Sequence, residues 1–173
     1  MQHSTEEKTM TTGSALIISF IILLLVYTIF AQFHHWSKSY STIVKDLNAS
    51  SVWTVWCDIN NWHTWQNDIE YAKLDGDFIT GSQFILKPKG VSEVNIKLIE
   101  VNNNQSFIDL TLFPFAKMYG KHEFIQRDNG LEIKTTMTVD GFLAFVWQKI
   151  VAEDVAAGMQ EQTENLIKKV RDG

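Results

Sequence analysis

The sequence predicts an α+β domain, an antiparallel sheet covered by one long C-terminal helix, preceded by a helix long enough to cross a bilayer. Three observations predict it. Successive segments between Ser82 and Val139 alternate apolar and polar residues, the period of strands with one buried face. From Val146 to Val170 apolar residues recur at helical spacing, over a stretch far longer than an average helix. Ser14 to Ala31 carries no charged side chain at all. An antiparallel sheet with one apolar face must cover that face, and the long helix is the available cover.

In chain order, the first element is the apolar stretch SALIISFIILLLVYTIFA, Ser14 to Ala31. As a helix it spans roughly 27 Å at about 1.5 Å per residue, close to the hydrocarbon thickness of a bilayer. Tyr27, His34, His35, Trp36 and Lys38 supply the amphipathic and cationic groups expected at its interface end. A cleaved signal peptide is the alternative; Glu6 and Glu7 in the leader and the lack of an A-x-A site oppose it. A buried soluble helix would not be apolar on every face. The boundaries expected are a tail at 1–13, a transmembrane helix at 14–31, a juxtamembrane linker at 32–38 and a folded domain at 39–173. Lys38 and Lys45 after the span, against Lys8 and the free amine before it, lean toward a single-pass membrane protein with a cytoplasmic C-terminal domain.

Ser41 to Leu47 reads as a short strand. Asn48 or Ser50 then caps a helix over about Ser51 to Ile59, with Val52, Trp56 and Ile59 on one face. Asn60-Asn61 breaks it, and Trp62 to Trp65 forms a second short turn. Four of the six tryptophans, Trp53, Trp56, Trp62 and Trp65, fall in this stretch. Strands follow at Ser82–Pro88, Val94–Leu98, Phe107–Phe113 and Tyr119–Gln126. A turn at Asp128-Asn129-Gly130, where positive φ is required, leads into the last strand, whose inner face is Ile133, Thr135, Met137 and Val139. In the strand Phe107–Phe113, Ile108, Leu110 and Leu112 oppose Asp109 and Thr111, so Asp109 is expected to face solvent.

Composition narrows the function. Of 173 residues, 45% are hydrophobic and 20% charged, ordinary values for one folded domain with an appendage. A net charge of -5 and the lack of a Lys/Arg stripe argue against nucleic acid as a partner. Cys57 is the only cysteine, which excludes an internal disulfide and any cysteine-based zinc site. His34, His35 and His63 lack acidic or thiol companions at ligand spacing, and no phosphate-cradling loop or nucleophile elbow occurs. No metal and no cofactor is expected.

The order of elements, with Val52-Trp53, Asp58-Ile59, Trp62, Trp65, Gly76-Asp77-Phe78, Gly81-Ser82-Gln83-Phe84, His122-Glu123-Phe124, Val139-Asp140-Gly141 and Asn165-Leu166, resembles the helix-grip superfamily, also called START-like or SRPBCC. Within it the chain is most similar to the polyketide cyclase/dehydrase and lipid-transport group, over about Ser39 to Asp172. The resemblance implies a helix-grip fold, a curved antiparallel sheet wrapped around the long helix, with two short helices after the first strand and a cavity for an apolar ligand. Carriers, cyclases and chaperone regulators share that fold, so it assigns no chemistry.

Candidate residues divide by role. His122, inward beside Phe124, could serve as a general acid/base or polarise a ligand; the plain alternative is a structural histidine bonded to a neighbouring strand. Asp154, mid-helix, is a second acid/base candidate or one residue of a solvated helix face. Trp62, Trp65, Phe84, Phe113, His122, Phe124, Met137, Phe142, Val146 and Ile150 are the expected cavity lining, or else a filled core. Cys57 reads as an inert packed thiol. The function expected is a membrane-anchored domain that binds, carries or shields a hydrophobic small molecule, such as a lipid or isoprenoid-like compound, without chemistry. The alternatives are a cyclase- or dehydratase-type enzyme using His122 or Asp154, and a protein-interaction module.

Overall fold

The computed structural model describes residues 12–173, so most of the tail expected at 1–13 lies outside the described residues. Helix α1 runs from Thr12 to Phe33 and is apolar around its whole circumference. After His34 and His35 the chain enters strand β1, Trp36–Val44. The segment expected as a linker at 32–38 is therefore the end of a helix, two connecting residues and the start of a strand. β1 was expected only from Ser41 because its first half is polar. Its Ser37 and Ser39 hydroxyls meet those of Thr138 and Thr136 on the neighbouring strand at 3.2 and 2.8 Å. Hydroxyl pairs across a sheet edge stabilise a strand that has no apolar alternation to reveal it.

Helix α2, Ala49–Cys57, starts where the Asn48 side chain accepts the Ser51 N–H at 2.9 Å, and buries Val52 and Trp56. A 3₁₀ turn follows at Ile59–Thr64. The remaining strands are β2 Ile69–Leu74, β3 Gln83–Pro88, β4 Val94–Asn102, β5 Ser106–Phe113, β6 Ala116–Arg127 and β7 Gly130–Asp140. They form one antiparallel sheet in the order β1-β7-β6-β5-β4-β3-β2. β2 was not anticipated. A register shift between Ile69 and Tyr71 spoils its alternation, leaving Ile69, Ala72 and Leu74 buried at uneven spacing.

The C-terminal helical segment is interrupted. Helix α3, Ala144–Trp147, passes through a π turn at Gln148–Ala152 into helix α4, Glu153–Asp172. Ala152, Ala156, Met159, Thr163 and Leu166 form the buried stripe, alternating steps of four and three residues. The interior has two apolar clusters. One gathers Trp56, Trp62, Trp65, Phe84, Phe107 and Phe124 with Leu98, Ile133 and Leu166. The other gathers Met118, Met137, Met159, Val139, Ala144, Ala152 and Ala156.

Candidate functional site

The sheet register decides which side chains face α4. β5 and β6 are joined by a tight turn that pairs Phe113 with Ala116. Counting back from it sets Asp109 opposite Gly120 and Phe107 opposite His122. Because Met118, His122 and Phe124 are buried on β6, Phe107, Asp109 and Thr111 lie on the inner face of β5. Asp109 is thus inside, contrary to the expectation that it faces solvent. Alternation separates two faces of a strand without saying which is buried, and here the apolar residues Ile108, Leu110 and Leu112 take the outer face. Leu112 is 67% exposed.

Asp109 and His122 form the polar centre of this inner face. His122 Nε2 lies 3.1 Å from Asp109 Oδ2, and Nδ1 lies 3.1 Å from the Thr135 hydroxyl. The ring thus has a partner at each nitrogen; in the tautomer with its proton on Nε2, that N–H donates to the carboxylate and Nδ1 accepts from the Thr135 hydroxyl. The imidazole stacks on Phe107, centroids 4.4 Å apart at 22°, and the Trp56 ring lies 4.7 Å away. Gly120 makes room for the carboxylate, since a Cβ there would stand 2.7 Å from Asp109 Oδ2. The Asp109 side chain keeps 14% of its surface accessible, and among the described residues only His122 bonds it.

Two buried side-chain donors, the Trp56 indole Nε1 and Gln66 Nε2, have no hydrogen-bond partner among the described residues. Gln66 is otherwise tied to α4, its Oε1 accepting from Gln162 Nε2 at 3.0 Å. A buried donor without a partner costs about 1–3 kcal/mol. Such groups in an interior are rare enough to require a reason.

Of the residues expected to line a cavity, Trp62, Trp65, Phe84 and Phe124 pack inside the aromatic cluster. Trp62 donates its indole N–H to Trp56 O at 2.8 Å and sets its ring 5.5 Å from Phe84. Met137 belongs to the second cluster, and Phe113, partly buried, stacks on Trp147 at 4.4 Å. Phe142, Val146 and Ile150 are exposed at 39, 37 and 60%, pointing away from the sheet–helix interior. They precede the buried α4 stripe, and the π turn at Gln148–Ala152 shifts the helical phase between the two. Asp154 is exposed as well, because two residues from both Ala152 and Ala156 it falls on the opposite side of α4. It is not positioned to act on anything held against the sheet.

Two open grooves, each of about 590 Å³, lie elsewhere. One runs between the end of β1 and the end of α4, where Arg171 makes a two-pronged bond to Asp46. The other lies beside Ile79 and the β4–β5 turn. Burial pushes the Cys57 thiol up to about 12, so it stays protonated at neutral pH and is a poor nucleophile. Among the described residues no group of three His, Cys, Asp or Glu side chains could hold a metal ion.

Residues 36–171 match the family model described as polyketide cyclase / dehydrase and lipid transport. Solved structures agree on the fold. A hypothetical protein, jhp0584 from Helicobacter pylori, aligns at 16% identity with a TM-score of 0.63, covering 78% of this chain and 88% of its own. Norcoclaurine synthase from Thalictrum flavum, solved with dopamine and hydroxybenzaldehyde, aligns at 14% identity and a TM-score of 0.56, covering 81% and 92%. The di-domain ARO/CYC protein StfQ of the steffimycin biosynthetic pathway aligns at 9% identity and a TM-score of 0.66, covering 91% of this chain and 60% of that one. No curated protein sequence matches.

Proposed function

The chain belongs to the polyketide cyclase/dehydrase and lipid-transport family, and from that premise we propose that it is a membrane-anchored domain that binds a hydrophobic small molecule bearing an oxygen-containing head. The observation that carries this reading is a set of polar atoms in the sheet–helix interior with bonding capacity to spare. Asp109 offers an accessible acceptor, and Trp56 Nε1 and Gln66 Nε2 are donors in want of one. A hydroxyl on an apolar molecule suits both kinds of group, donating to the carboxylate and accepting from an N–H, while the ring and methionine clusters suit its body. The small aromatic molecules held by norcoclaurine synthase, which has the same fold, are consistent with this chemistry. Helix α1, whose apolar stretch Thr12–Phe30 is long enough to cross a bilayer, would keep the domain where such molecules partition.

The test begins with the full chain purified in mild detergent. Native mass spectrometry and solvent extraction should recover an apolar, oxygen-bearing molecule. Trp56→Phe, which keeps the ring and deletes the N–H, and Asp109→Ala should each lower its retention several-fold. Recovery of an empty domain, indifferent to added lipids in repeated preparations, would sink the proposal. The anchor is tested separately by the intact mass of the N-terminus and by retention in membranes through an alkaline wash. A shortened N-terminus would mark a removed signal sequence instead.

A second reading is favoured by one observation, the fixing of His122 between Asp109 and Thr135. An imidazole oriented by a carboxylate is the arrangement used in general acid/base chemistry. If the domain is an enzyme, the extracted molecule incubated with fresh protein changes mass, and His122→Ala stops the change. If the ligand returns unaltered from wild type, binding without chemistry stands.

A further inference from the structure

We propose that the end of the domain beside α1 is a lipid-contacting surface through which the domain rests on the bilayer; this rests on the membrane-anchored reading above. The surface is made by two turns. One is the tip of the β5–β6 hairpin at Pro114 and Phe115, the other the segment Gly141–Trp147. They are tied together: the Leu143 N–H donates to Phe115 O at 3.1 Å, and the Trp147 indole N–H donates to Pro114 O at 3.0 Å. Phe142 stands just before α3, Phe145 and Val146 lie on it and Ile150 follows in the π turn, so the four come from one short stretch bonded to the hairpin that carries Phe115.

All five side chains are exposed, Phe115 most of all at 75%. Hairpin tips ordinarily carry glycine, asparagine or aspartate. Here a phenylalanine sits at φ 57, in the left-handed region that bulky residues seldom enter. The turn accepts backbone strain and still directs an apolar ring outward.

Helix α1 identifies what covers this surface. Tyr27 donates its hydroxyl to Phe142 O at 2.7 Å, and its ring meets Phe142 edge-on at 4.7 Å. Phe30 lies 6.3 Å from Phe145. Tyr27 and Phe30 both belong to the apolar stretch Thr12–Phe30, so Phe142 and Phe145 lie level with its last turns. That level is the boundary of headgroups and acyl chains, where aromatic side chains are favoured. Neither 112–116 nor 141–148 carries a charged residue. The adjacent Lys149 is neutralised by Glu153 at 2.6 Å, and Lys117 stands opposite Asp140 across β6 and β7. The contact is therefore apolar insertion, independent of anionic lipid.

The test uses the full chain with Cys57→Ser, reconstituted into phosphatidylcholine vesicles. A polarity-sensitive fluorophore is placed at Phe115→Cys, at Ile150→Cys, and as a control at Asn103→Cys in the turn at the other end of β5. The two ends of β5 are roughly 27 Å apart at about 3.4 Å per residue. Spin-labelled lipid should quench the labels at 115 and 150 several-fold more than that at 103, and high salt should leave this unchanged. Equal quenching at all three sites in chains that survive an alkaline wash overturns this inference alone. Shielding of 115 from aqueous iodide without lipid quenching overturns it as well, because a protein or a second copy would then be the cover. Chains that wash off the vesicles overturn both this inference and the anchor on which it rests.

Discussion

The two halves of the sheet–helix interior are filled with different materials. Around Trp56 the packing is ring against ring: Trp65 at 6.3 Å, Phe107 at 5.8 Å and Phe124 at 5.7 Å, with Trp62 and Phe84 beyond. Around Met137 it is Met118, Met159 and a row of alanines. Rigid rings in tilted and edge-on contact have few alternative arrangements, whereas methionine has three rotatable side-chain bonds and fills gaps adaptably. The same sheet and helix thus contain one half that specifies the fold and one half able to yield. Asp109 reaches between strands whose inner faces contribute to both halves, being opposite Gly120, which is itself opposite Met137.

Breaking the aromatic half should have the largest effect. Trp56 is fully buried, and Trp56→Ala is expected to cost about 3–5 kcal/mol in chemical denaturation. A loss below 1 kcal/mol, by the same scale, would mean the cluster is not the structural half. Next in size is Gly141→Ala, at the other end. Gly141 has φ 124, and a Cβ there would lie 2.6 Å from Phe115 O, which is backbone and cannot swing aside. About 1–3 kcal/mol is expected, with faster amide exchange at Leu143, whose N–H bonds that same carbonyl. Met137→Leu, a swap of similar volume in the adaptable half, should cost less than about 1.5 kcal/mol and leave ligand retention nearly intact. A larger loss would show that the methionine half is as tightly specified as the other.

The effect that is smallest at neutral pH emerges only in alkali. Cys57 is held protonated by burial, its pKa raised from 9.0 to about 12. A group whose folded pKa is raised contributes fully below the unfolded value and loses its contribution as pH climbs toward the folded one. Wild type and Cys57→Ala should therefore keep a constant stability difference below pH 9. Wild type should then fall relative to the variant between pH 9 and 12, as followed by denaturation midpoints. Parallel curves through that window would show that the thiol is solvated.

What was legible in the chain, and what was not, follows from how each feature is encoded. The antiparallel sheet and the long terminal helix were legible because alternation and helical recurrence repeat over many residues, and the family through the resemblance of several short motifs taken in order. The inward assignment of His122 was legible from Phe124 two residues on. Asp109 was not, because in β5 hydrophobicity lies on both faces and only the pairing set by the Phe113–Ala116 turn decides between them. That turn was the overlooked signal: it sets a small Gly120 opposite a carboxylate that needs its space. Trp62 and Trp65 could not be sorted into wall or core by residue type, since an indole serves either; their neighbours decide it. Phe142, Val146 and Ile150 read as interior because they extend the apolar period of the terminal helix. The π turn, which displaces that period, leaves no mark in the sequence.

Only His34 and His35 separate α1 from β1, and both are pinned, His34 to Gln148 at 2.9 Å and His35 to Asp140 at 2.6 Å. A link so short has no slack. Turning the domain about it would pull β1 from its place against β7, so on the proposed topology the anchor and the sheet move as one piece. On that topology the molecule would not ferry cargo from one membrane to another. It would be a dock, exchanging only with the patch of lipid beneath it and reaching new lipid by drifting in the plane of the bilayer.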